Sequence, residues 1–422
     1  MKNSKLSRVS IWAVALLAVF AISSGQQAQS TDTQYYWMKV AAQDKFQRSV
    51  IASTGAAIEI VQDDYVIAYG NDTELAKIQK LGWLLASSNL AHEVRPLDFP
   101  EKDSAYHNYD ELTAALRELA QNNSDIVTMS SIARTQEGRD IWSIRITSDS
   151  ATAANKPGSI FMGGHHAREH LSVEMPLMLA QYLVTQYRNG NPRVVSLIQS
   201  RDIHIIPAVN PDGLEFDIKD GSYKMWRKNR TRNANGTYGV DLNRNYGYQW
   251  GGQGASSSPS SDTYRGTAPF SEIETQAIRN YVEANTNITV LLSVHSFSKL
   301  ILYPWGFTYS AIETGADKLV HQTMARKMAE WNGYAPQQSS ELYVSSGDTT
   351  DWSYGVHKII SFTFELDPAN NGFGGGGFYP GAGVIQPVFQ KNIEPFLYLI
   401  DYSDNPYRAI NVGIGPIGPS DI

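Results

Sequence analysis

"FMGGHHAREHLSVEM", residues 161–175, holds three histidines and two glutamates where an apolar run gives way to a helical pattern, and its reading decides both fold and chemistry. Read as His-x-x-Glu-His, from His166 to His170, it has the order of one known metal-binding motif. Read as His-x-x-Glu, from His166 to Glu169, it supplies two ligands and needs a third from far along the chain. Positions four apart share a helix face, so the first reading requires the whole stretch to be helical. The run "SIFM" closed by two glycines instead puts His166 on a turn and starts the helix near Glu169, which removes that geometry. The best third donor is then His295, in "LLSVHSFS" at the end of an apolar strand. Two histidines and a glutamate leave the fourth position of a tetrahedral zinc open for catalysis. Taken singly, each of these residues reads better as a hydrogen-bonded structural residue than as a ligand.

Outward from this stretch, strands and helices alternate from about Asp98 onward. "RDIWSIRIT", "SIFMGG", "RDIHIIPAV", "ITVLLSVHS" and "KIISFTFEL" read as strands, and the stretch after Glu169, "ADKLVHQTMARKMAEW" and "IQPVFQKNIEPFLYLIDY" as helices. A further helix opens at "SEIE", where Ser271 and Glu274 have capping-box spacing. This alternation predicts an α/β domain with a mixed, mostly parallel central sheet and helices on both faces, with ligands at the carboxyl ends of strands. The Gly-rich "NNGFGGGGFYPG" is read as a loop without a phosphate role, and the tail "NPYRAINVGIGPIGPSDI" as an extended extension.

Upstream the organisation differs. Lys2, Lys5 and Arg8 precede an apolar run from Ile11 to Ile22, followed by small and polar residues, which is the order of a secretory signal peptide assigned to 1–25. The run is short for a membrane span. Residues 30–91 contain strand, helix, two strands around a turn, helix and strand, a small α+β unit in βαββαβ order with no cluster suggestive of chemistry. "NLAHEVRPLDFPEKDSAYHNYDEL" follows, with two prolines and no periodicity, as an exposed linker. An inert domain between a leader and a linker suggests a propeptide, the alternative being an accessory substrate-binding domain. The 422 residues suffice for two or three units, and 42% hydrophobic with 18% charged residues is globular composition. A net charge of -7 gives no support to nucleic-acid binding. With no cysteine, disulfides and thiolate ligands are excluded, so any metal site uses histidine and carboxylate.

Other residues carry chemistry. "FTFEL" sets Glu365 inside an apolar strand, where a carboxylate is costly unless paired or functional. "MWRKNR" and "VDLNRNYG" supply Arg227, Asn243 and Arg244, groups suited to a carboxylate or a developing oxyanion.

With "HHARE", "NPDG", "MWRKNR", "GVDLNRN", "VHSFSKLILYPWGF", "LYVSSGDTTDW" and "FTFEL" in that order, the sequence resembles the zinc carboxypeptidases of the A/B type, the funnelins, over about Asp98 to Asp401. Within them it is most similar to bacterial carboxypeptidase T, and residues 30–91 resemble the family's activation domain. The resemblance implies a carboxypeptidase-like fold, one zinc held by His166, Glu169 and His295, and Asp241 orienting the first of these histidines. It implies that Glu365 is the general base and that Arg227 stabilises the tetrahedral oxyanion. Asn243, Arg244 and Tyr343 match the group that grips a substrate's terminal carboxylate, Arg168 a residue of the neighbouring subsite, and Ser296 one whose backbone contacts substrate.

The resemblance further implies a secreted zymogen, extracellular or periplasmic, inhibited by its own propeptide and released by an activating protease. Residues 92–97 would be the activation linker, 98–403 the catalytic domain and 404–422 a C-terminal extension. Arg95 precedes Pro96, which disfavours trypsin-like cleavage there and moves the expected cut to Leu97 and Asp98. Substrates would be peptide or protein C-termini, with no nucleic acid or membrane partner after signal removal, and the protein a monomer. Thr350 stands where A-type enzymes carry an apolar residue and B-type an acid, and Asp348 matches an acid near the side-chain pocket of carboxypeptidase T. Together they suggest acceptance of large apolar residues and of Lys or Arg. The acidic cluster supporting a calcium site in carboxypeptidase T is replaced by "SDSATAANKPGS", which counts against calcium. Two rivals remain at this point: a related zinc peptidase trimming cell-wall peptides, and an inactive zinc- or peptide-binding relative, against which Glu365 argues.

Overall fold

The computed structural model describes residues 34–89, 99, 103–313, 315–368 and 377–410. The leader, the expected activation point, most of the Gly-rich stretch and the end of the tail lie outside them.

The N-terminal unit runs β1 (Tyr35–Ala41), α1 (Lys45–Ala52), β2 (Ala57–Val61), β3 (Tyr65–Asn71), α2 (Asp72–Leu81) and β4 (Leu84–Asn89), the expected βαββαβ order. Its sheet is antiparallel, in the order β2-β3-β1-β4. Local chemistry sets the helices: Asp44 caps α1, and Asn71 and Glu74 form a reciprocal capping box on α2, which ends at Gly82 with φ 73°. One sheet face packs on these helices through Met38, Val40, Val66, Ile51 and Ile78. The opposite face, through Trp37, Ile60, Ile67 and Tyr69, packs on Met225, Phe297 and Phe378 of the larger unit.

That larger unit begins with α3 (Tyr109–Asn122), β5 (Val127–Arg134), β6 (Asp140–Ile146), β7 (Gly158–Met162), α4 (Leu171–Arg188), α5 (Pro192–Ser200), β8 (Asp202–Ile206) and α6 (Pro211–Ile218). It continues with α7 (Ile273–Ala284), β9 (Ile288–Ser296), β10 (Leu300–Tyr303), α8 (Gly315–Asn332), β11 (Ala335–Gln338), α9 (Ser339–Leu342), α10 (Thr349–His357), β12 (Ile360–Leu366) and α11 (Ile385–Tyr402). Eight strands form one mixed sheet, β11-β10-β12-β9-β7-β8-β6-β5, in which β12, β9, β7 and β8 run parallel to one another, while β10 and β6 flank them antiparallel. The period of two along a strand divides the core between the two faces: Phe161 of β7 points to the cluster with α4 and α11, while Ile160 and Met162 point to the cluster with α7. The expected layered α/β architecture is therefore present.

Three expectations need correction. Ser271 and Glu274 form no capping box: α7 starts at Ile273 after Glu272, Ser271 donates to the Glu272 carboxylate at 2.6 Å, and Asn229 draws in both glutamates at 2.8 and 3.1 Å. The stretch read as linker already contains the start of α3, which Asn108 and Glu111 cap reciprocally. The tail is not extended throughout, because Pro406–Ile410 form a 3-10 turn and Tyr407 donates to Asp317 of α8 at 2.7 Å.

Candidate metal centre and substrate cleft

Strands β7, β9 and β12 are parallel neighbours, so their carboxyl ends meet at one edge of the sheet. Register pairs Glu365 of β12 with His295 of β9, and the chain leaving β7 carries His166 and Glu169 to the same edge. Residues between β7 and α4 are not helical, and His170 is the cap residue of α4, so the His166–His170 helical pairing does not exist. The tight exit from β7 needs glycine. A Cβ on Gly163 would lie 2.0 Å from the Ser172 carbonyl oxygen, and Gly164 has φ +63°.

His166, Glu169 and His295 bring one ligand atom each within 4.8 Å of one another, all three residues buried, and among the described residues they form the one such group of three or more His, Cys, Asp or Glu. His166 Nδ1 and His295 Nδ1 face each other at 3.2 Å, and lie 2.7 and 2.9 Å from the two oxygens of Glu169. The far nitrogen of each ring is engaged: His166 Nε2 is 3.1 Å from Asp241 and His295 Nε2 is 3.0 Å from the Ser293 hydroxyl. The Asp241 carboxylate can only accept, which favours the proton of His166 on Nε2 and leaves its Nδ1 lone pair facing the group. Two imidazole lone pairs and a carboxylate converging on one point are the donor set of an open zinc site, so the residues fit the metal. The other histidines have their own partners. His165 Nε2 is 2.9 Å from Tyr246 Oη and is kept neutral by burial, while His170 pairs with Asp217 at 2.9 Å.

Around this group the remaining expected residues line one cleft, with Arg168 and Asp241 behind its wall. Arg227 is buried and donates to the second oxygen of Asp241 at 2.9 Å, which holds its guanidinium charged. Glu365 faces the same cavity, its carboxyl pushed well up by burial and by the neighbouring Glu169 charge. Arg244 is anchored by the carbonyls of Gly254 (3.0 Å) and Asn243 (2.7 Å). The Asn243 side-chain oxygen accepts from the Thr349 amide at 3.0 Å and hydroxyl at 2.9 Å, which leaves its NH2 group for a ligand. Tyr343 lines the cleft with its phenol pushed up by burial, so it remains a donor. The Ser296 amide donates to Glu169 at 3.3 Å. Asp348 caps α10 through the Asp351 amide at 2.7 Å and accepts from Thr350 at 3.0 Å, so both lie together at the cleft wall.

Sequence reasoning missed one participant. The N-terminal unit is not inert at the cleft: Glu59 lines it and pairs with buried Arg168, which also binds Asp262 at 3.1 Å. The signal was present, since Glu59 interrupts the apolar "AAIEIV" just as Glu365 interrupts "FTFEL". Helix α1 meanwhile grips the segment carrying Tyr343. Arg48 donates to the carbonyls of Leu342 (2.6 Å) and Glu341 (2.8 Å), Lys45 pairs with Glu341 at 2.7 Å, and the Val344 amide donates to Ser49 at 2.9 Å.

A layered α/β sheet with an open His-Glu-His centre beside a buried carboxylate and cationic donors is the arrangement of a metal-dependent hydrolase. The sequence profile of the zinc carboxypeptidase family matches residues 112–395. A protein named zinc carboxypeptidase from Saccharothrix mutabilis subsp. capreolus is 36% identical over 329 residues, covering 75% of this chain and 74% of that protein. Carboxypeptidase B of Rattus norvegicus is 34% identical over 305 residues, covering 70% and 71%. The crystal structure of carboxypeptidase A from Helicoverpa armigera superimposes with a TM-score of 0.72 at 23% identity, covering 89% of this chain and 98% of that one, and shares the fold. The chain belongs to the zinc carboxypeptidase family; it is a metallocarboxypeptidase, a hydrolase with one zinc site. No helix among the described residues is long and apolar enough to cross a membrane.

Proposed function

We propose that this carboxypeptidase is a secreted zymogen that releases single residues from peptide C-termini. The observation that carries the exopeptidase reading is Arg244, a buried guanidinium that opens with Asn243 and Tyr343 into the same cavity as the metal group. A buried cation left without its carboxylate is penalised, so an internal peptide bond fits poorly. His166, Glu169 and His295 would hold the zinc ion, which would supply Lewis acidity toward a carbonyl and make water more acidic. Glu365 takes the proton of the attacking water and returns it to the leaving amine. Arg227, kept in place by Asp241, donates to the oxygen that becomes an oxyanion, a contact worth about a hundred- to a thousandfold in rate. Asp241 also fixes the ring of His166. Arg168 and Ser296 contact substrate upstream of the scissile bond.

Residues 1–25 act as the leader, 30–91 as the inhibitory domain, 92–97 as the linker cut by an activating protease, 98–403 as the catalytic domain, and 404–422 as an extension. Glu59 in the cleft and the α1 grip on the Tyr343 segment support inhibition by the N-terminal unit. The released enzyme acts as a monomer on peptide ends. Asp348 and Thr350 support a side-chain pocket that takes Lys or Arg as well as large apolar residues.

Mass spectrometry of a free-acid peptide and its C-terminally amidated twin, incubated with processed protein with and without chelator, tests this. Stepwise loss from the free acid alone, abolished by chelator, is expected. Equal cutting of the amide would remove the roles given to Asn243, Arg244 and Tyr343.

A further inference from the structure

Arg168 is fully buried, its guanidinium lying between the rings of Tyr69 (5.0 Å) and Phe378 (4.7 Å). One terminal nitrogen, Nη1, donates to the Met225 carbonyl at 3.0 Å and to Asp262 at 3.1 Å, so that half belongs to the catalytic unit. The other, Nη2, is taken by Glu59, and Nε has no hydrogen-bond partner among the described residues. Glu59 reaches this position because the β2–β3 ladder shifts register between Ile58 and Ile60. Such a bulge re-aims a side chain, and here Ile58 and Ile60 join cores on opposite sides of the sheet with Glu59 between them. The N-terminal unit also presents a backbone acceptor beside this ion pair: Ser261 and Thr263 both donate to the Gly55 carbonyl, at 2.7 and 3.0 Å. Departure of the N-terminal unit therefore frees half a guanidinium just behind the cleft wall and the two hydroxyl donors that flank Asp262, its remaining carboxylate partner.

We propose that Arg168 selects substrates with an acidic side chain a short way upstream of the scissile bond, Glu59 standing in for that side chain before processing, while Ser261 and Thr263 receive a substrate backbone carbonyl. This deepens the exopeptidase reading and rests on it. A carboxylate matches the paired N–H donors along the free edge of a guanidinium, whereas a glutamine presents a single acceptor oxygen. Asp262 already neutralises Arg168, so it sets an upper limit on the preference.

The test uses processed enzyme and N-blocked peptides that share their C-terminal residue and differ only in Glu or Gln at the second or third residue upstream of it. At one of these positions kcat/KM for the Glu peptide exceeds that for the Gln peptide by about tenfold, carried by KM, the size expected of a charge-assisted hydrogen bond. Arg168→Gln brings the ratio to about one, while Asp262→Asn, which leaves the guanidinium without its competing charge, raises it. Should Arg168→Gln fail to fold, Asp262→Asn decides the matter alone. Equal rates at both positions, or a ratio that falls in Asp262→Asn, overturn the proposal and leave the exopeptidase reading standing. Failure to cut any of the peptides overturns both.

Discussion

His166 and Arg227 are held by the two oxygens of one carboxylate: Asp241 lies 3.1 Å from the His166 ring and accepts from Arg227 at 2.9 Å. A residue of the His-Glu-His group and the cation proposed to polarise the scissile carbonyl are thus set relative to each other by a single buried carboxylate. Asp241→Ala is expected to weaken zinc binding by about ten- to a hundredfold, because it removes the partner that orients the ring. Chelator competition reads this directly, and unchanged zinc retention would refute the role.

Glu365 faces the same cavity and stands outside the His166, Glu169 and His295 group, as the proposed general base. Glu365→Gln keeps the shape and removes the base, so kcat should fall by about a hundred- to ten-thousandfold with zinc content unaltered. Metal analysis of the purified variant separates the two effects. Loss of zinc along with activity would place Glu365 among the ligands instead.

Gly163 is a structural bottleneck beneath the metal centre. A Cβ there would meet the Ser172 carbonyl oxygen at 2.0 Å, and neither backbone can retreat without moving β7 or the start of α4. Gly163→Ala is expected to destabilise the protein by several kcal/mol, about 3 or more, among the larger single-residue effects. Thermal unfolding measures it, and a melting temperature within a degree of the parent would show that the junction yields.

The Glu59–Arg168 contact proposed to be inhibitory has its own signature. Glu59→Ala leaves the buried Arg168 without one of its carboxylates, and breaking a buried ion pair in this way costs about 3–5 kcal/mol. The uncleaved variant should then hydrolyse peptides measurably faster than the uncleaved parent. Rates that are equal in the two uncleaved chains would show that inhibition rests on the other contacts, such as those of Arg48 with Leu342 and Glu341.

Much of the fold is local in origin and was legible in the chain. Alternation in "YYWMKVA" and "AIEIV", the closing glycines of "SIFMGG" and the long apolar stripe of "IQPVFQKNIEPFLYLIDY" each set an element through periodicity and turn chemistry, and the structure has those elements. The capping of α7 was misread because the spacing of Ser271 and Glu274 carries no information on Asn229, far away in sequence, which draws Glu274 off.

The ligand set shows where local information ends. Sequence by itself determined that His166 sits on a strand-to-helix turn, that no thiolate is available, that His295 ends an apolar strand and that Glu365 interrupts one. Only the tertiary structure decided which of these meet, because the order of strands in the sheet, β12 beside β9 beside β7, depends on long-range pairing that no local pattern encodes. The same holds for Glu59 and Arg168. Each is a buried charge whose partner lies 109 residues away, and the free energy that makes their burial tolerable exists only once the two units are packed together.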